Sequence, residues 1–245
     1  DQLQPRFRGT GLADNLDVVQ KNSHDWGVSA RGFNTELANK LLVMIDGRTV
    51  YTPLFSGVFW NVQDYLLEDL DRIEAVSGPG GTLWGANAVN GVINIISKSA
   101  KDTQGGHIEA GAGNELESSG GVRYGGTLAP KVYYRVYGKY SDHRGALFAN
   151  GSPTHDAWQM RQGGFRVDAE LSAENTFTLQ SDVYRNEAEL VTGGDSTVNG
   201  ANVLGRWFRF EDLLSAFLLR MLSHGGADLA DLPKRLIVGR PVNFA

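Results

Sequence analysis

The sequence predicts an α+β N-terminal piece, then antiparallel β-hairpins of the kind that line a membrane as an incomplete transmembrane β-barrel, then a C-terminal α/β fragment. Three observations lead there. Glycine supplies 31 of 245 residues beside only 7 Pro, well above ordinary usage and without a collagen-like period, which points to tight turns and glycine-punctuated strands. From His107 to about Leu190 apolar residues recur at period two, with turn signals roughly every dozen residues, as in an antiparallel meander. The stretches before and after it mix helical and strand periods.

Composition narrows the function classes. A hydrophobic share of 41% with 21% charged residues suits a chain with a packed core rather than a disordered one. The formal charge of -5 argues against broad phosphate neutralisation, so no nucleic-acid partner is expected. With no Cys, disulfides, thiolate metal sites and a cysteine nucleophile are excluded, while the redox compartment stays open. No run of about 18 apolar residues exists to form a spanning helix, a test that alternating barrel strands escape. The opening DQLQPRFRGTG has no apolar signal-peptide core, so a signal was either removed or never present.

Taken in order, Lys40 to Asp46 (KLLVMID) and Thr49 to Tyr51 read as two short strands joined at a glycine turn. Between Asp64 and Val76, Leu66, Leu67, Leu70 and Ile73 fall at helical spacing, and Ile73 to Val76 turns strand-like before GPGG at 78–81 stops any helix. In KVYYRVYGKY, Val132, Tyr134, Val136 and Tyr140 share one strand face, and Lys131, Tyr133, Arg135, Tyr137 and Lys139 the other. Val122, Tyr124 and Leu128 alternate with Arg123 and Thr127, and Phe177, Leu179 and Val183 with Thr178, Gln180 and Asp182. One face of each strand could meet lipid, although an ordinary soluble sheet would alternate in the same way. From Ala157 to Leu171 the apolar parity flips at Gly163 and Gly164, which predicts a bulge. After Gly194 the alternation fades: 191–203 reads as a linker, and Phe210 to Ser223 carries an apolar stripe at helical spacing too short to cross a membrane.

Three segments carry a family resemblance: VSARGFN at 28–34, KLLVMIDGRTVYTPLFSGVFW at 40–60, and DLDRIEAVSGPGGTLWGANAVNGVINIISKSA at 69–100. In order and spacing they resemble the plug domain of TonB-dependent outer-membrane receptors, over roughly residues 12 to 100. The resemblance implies a plug at 1–100 followed by the N-terminal strands of a truncated barrel at 101–190. It also implies a place in the Gram-negative outer membrane and uptake of iron-siderophore, haem or cobalamin-type ligands. The implied partners are a TonB complex and a metal-chelate or small-molecule ligand; no cofactor, resident metal or catalysis is implied. No TonB-contacting segment is legible ahead of GLADNLDVVQ, which already resembles the plug's first helix and strand.

Gly47, Gly78, Gly85 and Gly91 suit positive φ or close backbone approach, and Pro79 suits a turn where a strand must stop. Clustered aromatics in YTPLFSGVFW at 51–60 form a candidate ligand platform, with packing against plug or wall as the competing role. Because the family's plugs turn their apical loops toward the ligand, Arg31, Tyr51, Phe55 and Trp60 are the candidate ligand contacts. The sequence departs from the family at Ser77, where an Arg before Gly-Pro is usual, so no charge-assisted plug–barrel contact is expected there.

A plugged transporter of about 22 strands, at 9 to 11 residues each, needs roughly 200–240 residues of strand. After Ala100 fewer residues than that remain and at most about five strands are legible in them, so a fragment or fusion is expected. Residues 204–245 resemble, over about 40 residues, a piece of the nucleotide-binding domain of Hsp70-related actin-like ATPases, without phosphate loops and so without implied ATPase activity. A non-transporting remnant or soluble interaction module from a chimeric or frameshifted gene is the alternative reading. An enzyme is not expected. GPGGTLWG lacks the end of a phosphate-binding P-loop, GAGNEL lacks dinucleotide spacing, and Ser29 and Ser56 lack a nucleophile elbow. Solvated histidines account for the 5 His more cheaply than metal ligation, Asp142, His143, His155 and Asp156 being the one grouping near a loop.

Overall fold

The computed structural model describes residues 16–30, 40–52, 57–172 and 174–209. The chain first builds a two-stranded hairpin of β1 (Leu16–Gln20) and β2 (Trp26–Ala30), which among the described residues pairs with no other strand. A mixed four-stranded sheet follows, from β3 (Leu41–Ile45), β4 (Arg48–Thr49), β5 (Leu70–Ser77) and β6 (Gly91–Ser97), in the order β4-β3-β6-β5. Strand β3 is apolar throughout and every residue is buried, because it lies between two neighbours and pairs in parallel with β6. Asp46 and Gly47, both at positive φ (51° and 79°), make the two-residue turn that returns β3 to β4, the Asp-Gly chemistry of a type I′ hairpin. The core of this unit joins Val28 and Ala30 of the hairpin to Val43, Ile45, Ile93 and Ile95.

The helix suggested for Asp64 to Val76 does not form. A 3-10 turn at Leu67–Asp69 runs directly into β5. The spaced leucines pack, but Asp64 and Asp69 are buried rather than solvated, and pairing with β6 takes the chain from Leu70 onward. A four-residue helix α1 (Gly81–Trp84) lies before β6.

Six antiparallel strands then run as a meander: β7 (Gly105–Gly111), β8 (Leu116–Ala129), β9 (Val132–His143), β10 (Trp158–Glu170), β11 (Asn175–Glu189) and β12 (Asp195–Arg209). Strands β8 to β12 have 12 to 15 residues, beyond the 9–11 or so that a tilted strand needs to cross a bilayer. The sheet has two chemistries. Ile108, Val203 and Trp207 stand on the outer side at 81%, 70% and 69% exposure, while Arg123 and Arg135 are 7% and 6% exposed on the side that meets the N-terminal unit. Among the described residues β7 and β12 are the two edges, so the sheet is not closed there.

Two expectations are corrected. Most of the expected linker at 191–203 and the start of the expected separate piece at 204–245 form one strand, β12, paired residue for residue with β11, so the sheet has six strands among the described residues, where about five are legible in the sequence. The remaining stretch, 210–245, with its ATPase resemblance, lies outside the described residues. Nor is there a bulge at Gly163 and Gly164, since β10 keeps continuous register with both neighbours. The parity flip has another cause. Trp158 and Met160 are apolar on the inner face because they pack against Val62, and further along that same face becomes polar at Gln162, Arg166 and Asp168.

At Gly91 a Cβ would sit 2.5 Å from the backbone oxygen of Val76, whereas at Gly81 it would meet nothing within 4 Å. Gly91→Ala should therefore cost about 1–3 kcal/mol through forced backbone displacement, read as a lower denaturation midpoint of the chain in detergent micelles. Gly81→Ala should stay within about 0.5 kcal/mol of the parent.

Candidate functional site: the charged seat and the mouth above it

The N-terminal unit sits on the inner face of the six-stranded sheet through buried charges. Asp64 receives the Lys139 ammonium at 2.6 Å and the Ser141 hydroxyl at 3.3 Å. Asp69 lies 3.0 Å from Arg123 Nε and 3.8 Å from Arg135 Nε. The Arg123 Nε–H is not aligned on that carboxylate, so this contact is an ion pair more than a directed hydrogen bond. The same arginines donate through Nη1 to the Thr103 and Lys98 carbonyls at 2.6 and 2.8 Å. Asp46, at the I′ turn, accepts from the Ser97 amide (2.9 Å), the Ser97 hydroxyl (2.7 Å) and Gln180 (3.0 Å), and Arg206 donates to its carbonyl. Asp182 of β11 accepts from the Tyr65 hydroxyl at 2.9 Å and the Tyr137 hydroxyl at 2.6 Å. Burial first, and then the Asp182 charge, hold the Tyr65 phenol well above its ordinary range.

Sheet polarity identifies the other end of the molecule. The turns at 130–131 and 171–174 are short, whereas the opposite end carries the 14-residue connection 144–157 between β9 and β10. In membrane barrels the long connections face outward and the short ones the periplasm. At the long-loop end a cavity of about 760 Å³ opens between Lys21, Asn22 and Ser23 of the β1–β2 turn and Glu115, His143 and Arg144 of the wall. The β1–β2 turn is rigid, because Asn22 Oδ1 accepts from the His24 and Asp25 amides at 3.0 and 2.6 Å. Asp156 is the buried penultimate residue of the long loop. Burial opposes its ionisation, but hydrogen bonds from Thr154, the Ser23 amide and the Ala146 amide outweigh that and hold its carboxyl below the ordinary value, so it is charged at neutral pH.

Of the four candidate ligand contacts, Arg31 and Phe55 lie outside the described residues. Trp60 is 5% exposed and belongs to the core beside Ile93 and Ile95. Tyr51 is half-buried and donates its hydroxyl to the Leu41 carbonyl at 2.6 Å, and burial pushes its pKa up to about 12. Its ring borders a second cavity of about 320 Å³ between plug and wall, with Arg48, Tyr65 and Gln162. Neither Tyr51 nor Trp60 lines the mouth. Gly78 and Gly85 take positive φ on either side of exposed Pro79 and α1. The residues that shape the mouth were missed by sequence reasoning. The cluster Asn22 to Asp25 carries a turn signal that could have been read, whereas His143 and Asp156 stand out only as members of a grouping considered for metal ligation, and no local signal ties Asp156 to Ser23. Among the described residues no group of three or more His, Asp or Glu is placed to hold a metal ion.

The buried pair Asp64–Lys139, with side chains 3% and 4% exposed, makes a testable unit. Lys139→Met should strand the carboxylate and cost about 3–5 kcal/mol. Adding Asp64→Asn, which keeps an acceptor for Ser141, should recover most of that loss in the same denaturation assay.

Comparison with known proteins fits this geometry. Residues 10–92 match the family model described as TonB-dependent Receptor Plug Domain. The chain is 32% identical over 104 residues to the vitamin B12 transporter BtuB of Vibrio vulnificus and 36% identical over 92 residues to that of Vibrio cholerae. These alignments take in 42% and 36% of this chain and only 16% and 15% of the relatives' length. Among solved structures, the copper transporter OprC superposes on 80% of this chain and 30% of its own, with a TM-score of 0.63 at 16% identity. The ferripyoverdine receptor of the Pseudomonas aeruginosa outer membrane covers 71% of this chain and 22% of its own, with a TM-score of 0.54 at 20% identity. Over residues 10–92 the chain thus carries the match to the TonB-dependent receptor plug, and over most of its length it has the fold of such a receptor's plug and neighbouring wall strands.

Proposed function

We propose that this chain supplies the plug and wall strands of a TonB-dependent receptor in the Gram-negative outer membrane, which takes up a scarce ligand of the iron-siderophore, haem or cobalamin type. One observation carries the reading: plug carboxylates Asp46, Asp64 and Asp69 are buried on the basic inner face of an antiparallel sheet whose outer face is apolar and exposed. A soluble sheet has no use for an uncovered apolar face of this size. The ligand enters the mouth cavity between the β1–β2 turn and the long loop, where Lys21, Arg144, Glu115 and His143 offer charges and ring edges. The TonB complex is the proposed source of the force that moves the plug. Cobalamin is the first ligand to try, because the curated relatives named above are vitamin B12 transporters.

The membrane assignment is tested through Trp207, which is 69% exposed on the outer face, against Trp60 and Trp158, which are buried. With the chain reconstituted in bilayers of brominated phospholipid, acyl-chain bromines should quench Trp207 emission, and Trp207→Phe should remove most of the quenching. Absence of quenching in the parent chain would favour the soluble remnant instead. At the mouth, the double variant Lys21→Glu with Arg144→Glu should weaken binding of cyanocobalamin, or of a ferric siderophore if that is what binds, by about tenfold or more as two charge-assisted contacts are lost. Fluorescence titration reads the change.

A further inference from the structure

Asp156 is 1% exposed, sits in a surface loop, and divides its two carboxylate oxygens between two parts of the molecule. Oδ1 serves its own loop: it accepts from the Ala146 amide at 2.8 Å and from the Thr154 hydroxyl. Oδ2 serves the plug, accepting from the Ser23 amide at 2.8 Å, and the Asp156 carbonyl accepts from the Ser23 hydroxyl. The approach is close enough that a Cβ on Gly145 would lie 3.0 Å from Asp156 Oδ1, so the glycine keeps room for the carboxylate.

Both groups that Asp156 holds are themselves walls of the mouth, Ser23 on the plug side and Ala146 on the wall side. Among the described residues the hairpin that carries Ser23 has no backbone ladder to the four-stranded sheet. Its contacts with that sheet include the packing of Val28 and Ala30 and a long hydrogen bond of 3.4 Å from Asn90 to the Ala30 carbonyl. The loop that carries Ala146 is closed on itself by Thr154 N–H to Ala146 O (3.0 Å) and Phe148 N–H to Ser152 O (2.9 Å). Each is locally rigid, and neither has another polar tie to its counterpart among the hydrogen bonds of the described residues. Separating them would take the Ser23 amide and hydroxyl from their acceptors and leave Asp156 Oδ2 without its donor, the loss of a charge-assisted contact.

We infer that Asp156 is a positioning residue that latches the wall's longest loop to the plug's first hairpin, so that the two sides of the mouth hold one geometry and part together when the hairpin moves. Its bearing on ligand capture rests on the reading of the mouth given above, but the latch itself is a property of the chain without ligand.

Amide hydrogen exchange on the full chain in detergent micelles, with no ligand present, tests it separately from that reading. Asn at position 156 has a single acceptor oxygen and cannot serve both partners. In Asp156→Asn the Ser23 amide should exchange roughly tenfold faster, as expected for loss of one charge-assisted bond, while strand amides of β9 to β11 keep their protection. The decisive variant is in the plug: Ser23→Ala, which leaves the loop's own contacts untouched, should speed exchange at Ala146 about fivefold through the weakened latch. Acceleration at Ala146 in Ser23→Ala supports the latch even where Asp156→Asn folds poorly. An Ala146 rate unchanged in Ser23→Ala, or a Ser23 rate unchanged in a folded Asp156→Asn, overturns it and leaves Asp156 a residue internal to its loop.

Discussion

The wall carries cations where water does not reach, and the rest of the structure follows from the need to neutralise them. Arg123, Arg135 and Lys139 are each under a tenth exposed on the sheet's inner face. A buried, unpaired charge of this kind is costly by several kcal/mol. The plug supplies the answer with Asp64 and Asp69, and the backbone carbonyls of Thr103 and Lys98 each accept from one guanidinium Nη1. That demand explains why the segment after Trp60 is not a helix: both aspartates must reach the wall, and short 3-10 turns set them there where a regular amphipathic helix would turn acidic residues to solvent. It also explains why Ser77, exposed at the end of an edge strand, costs the seat nothing. Here the plug is the acidic partner and the wall the basic one.

A seat of this kind is weaker than an apolar one of equal area and easier to exchange. Buried ion pairs roughly cancel their desolvation, so they fix position more than they add stability. When the plug shifts, water can replace each partner, whereas separating two apolar faces exposes area that water does not compensate. The outer face of the same strands has the opposite chemistry, with Ile108, Val122, Leu128 and Val203 exposed. Period-two alternation is therefore a physical division between a polar face that seats the N-terminal unit and an apolar face that stays uncovered.

Much of the fold was legible because its causes are local. The all-apolar β3, the Asp-Gly turn and the alternation of β8, β9 and β11 each depend on residues within one element. What escaped depends on partners far along the chain. β12 reads as linker because Asn199, Gly200 and Asn202 dilute its apolar period. Yet a Cβ at Gly200 would strike the Tyr184 ring at 2.2 Å, so the glycine serves an aromatic neighbour on β11. Trp60 looked like a ligand platform because aromatics near Pro and Gly suggest a loop, but the 3-10 turn at Trp60–Val62 folds it into the core. Asp156 stands out only in a loop grouping considered for metal ligation, and nothing points to its tie to Ser23, which is 133 positions away.

The contacts between plug and wall are unevenly distributed along the strands, and this sets an order of release. Near the short turns, Arg135, Arg166 and Asp168 grip Ser97, Lys98 and Ala100 where β6 passes into the wall. That end is continuous with the first wall strand and cannot separate without breaking several buried bonds together. At the long-loop end the β1–β2 hairpin meets the wall through Ser23 and Asp156 and has no ladder to the plug sheet. Local opening is drawn from the elements with the fewest buried bonds. A force that separated the two units would therefore free the hairpin before the four-stranded sheet.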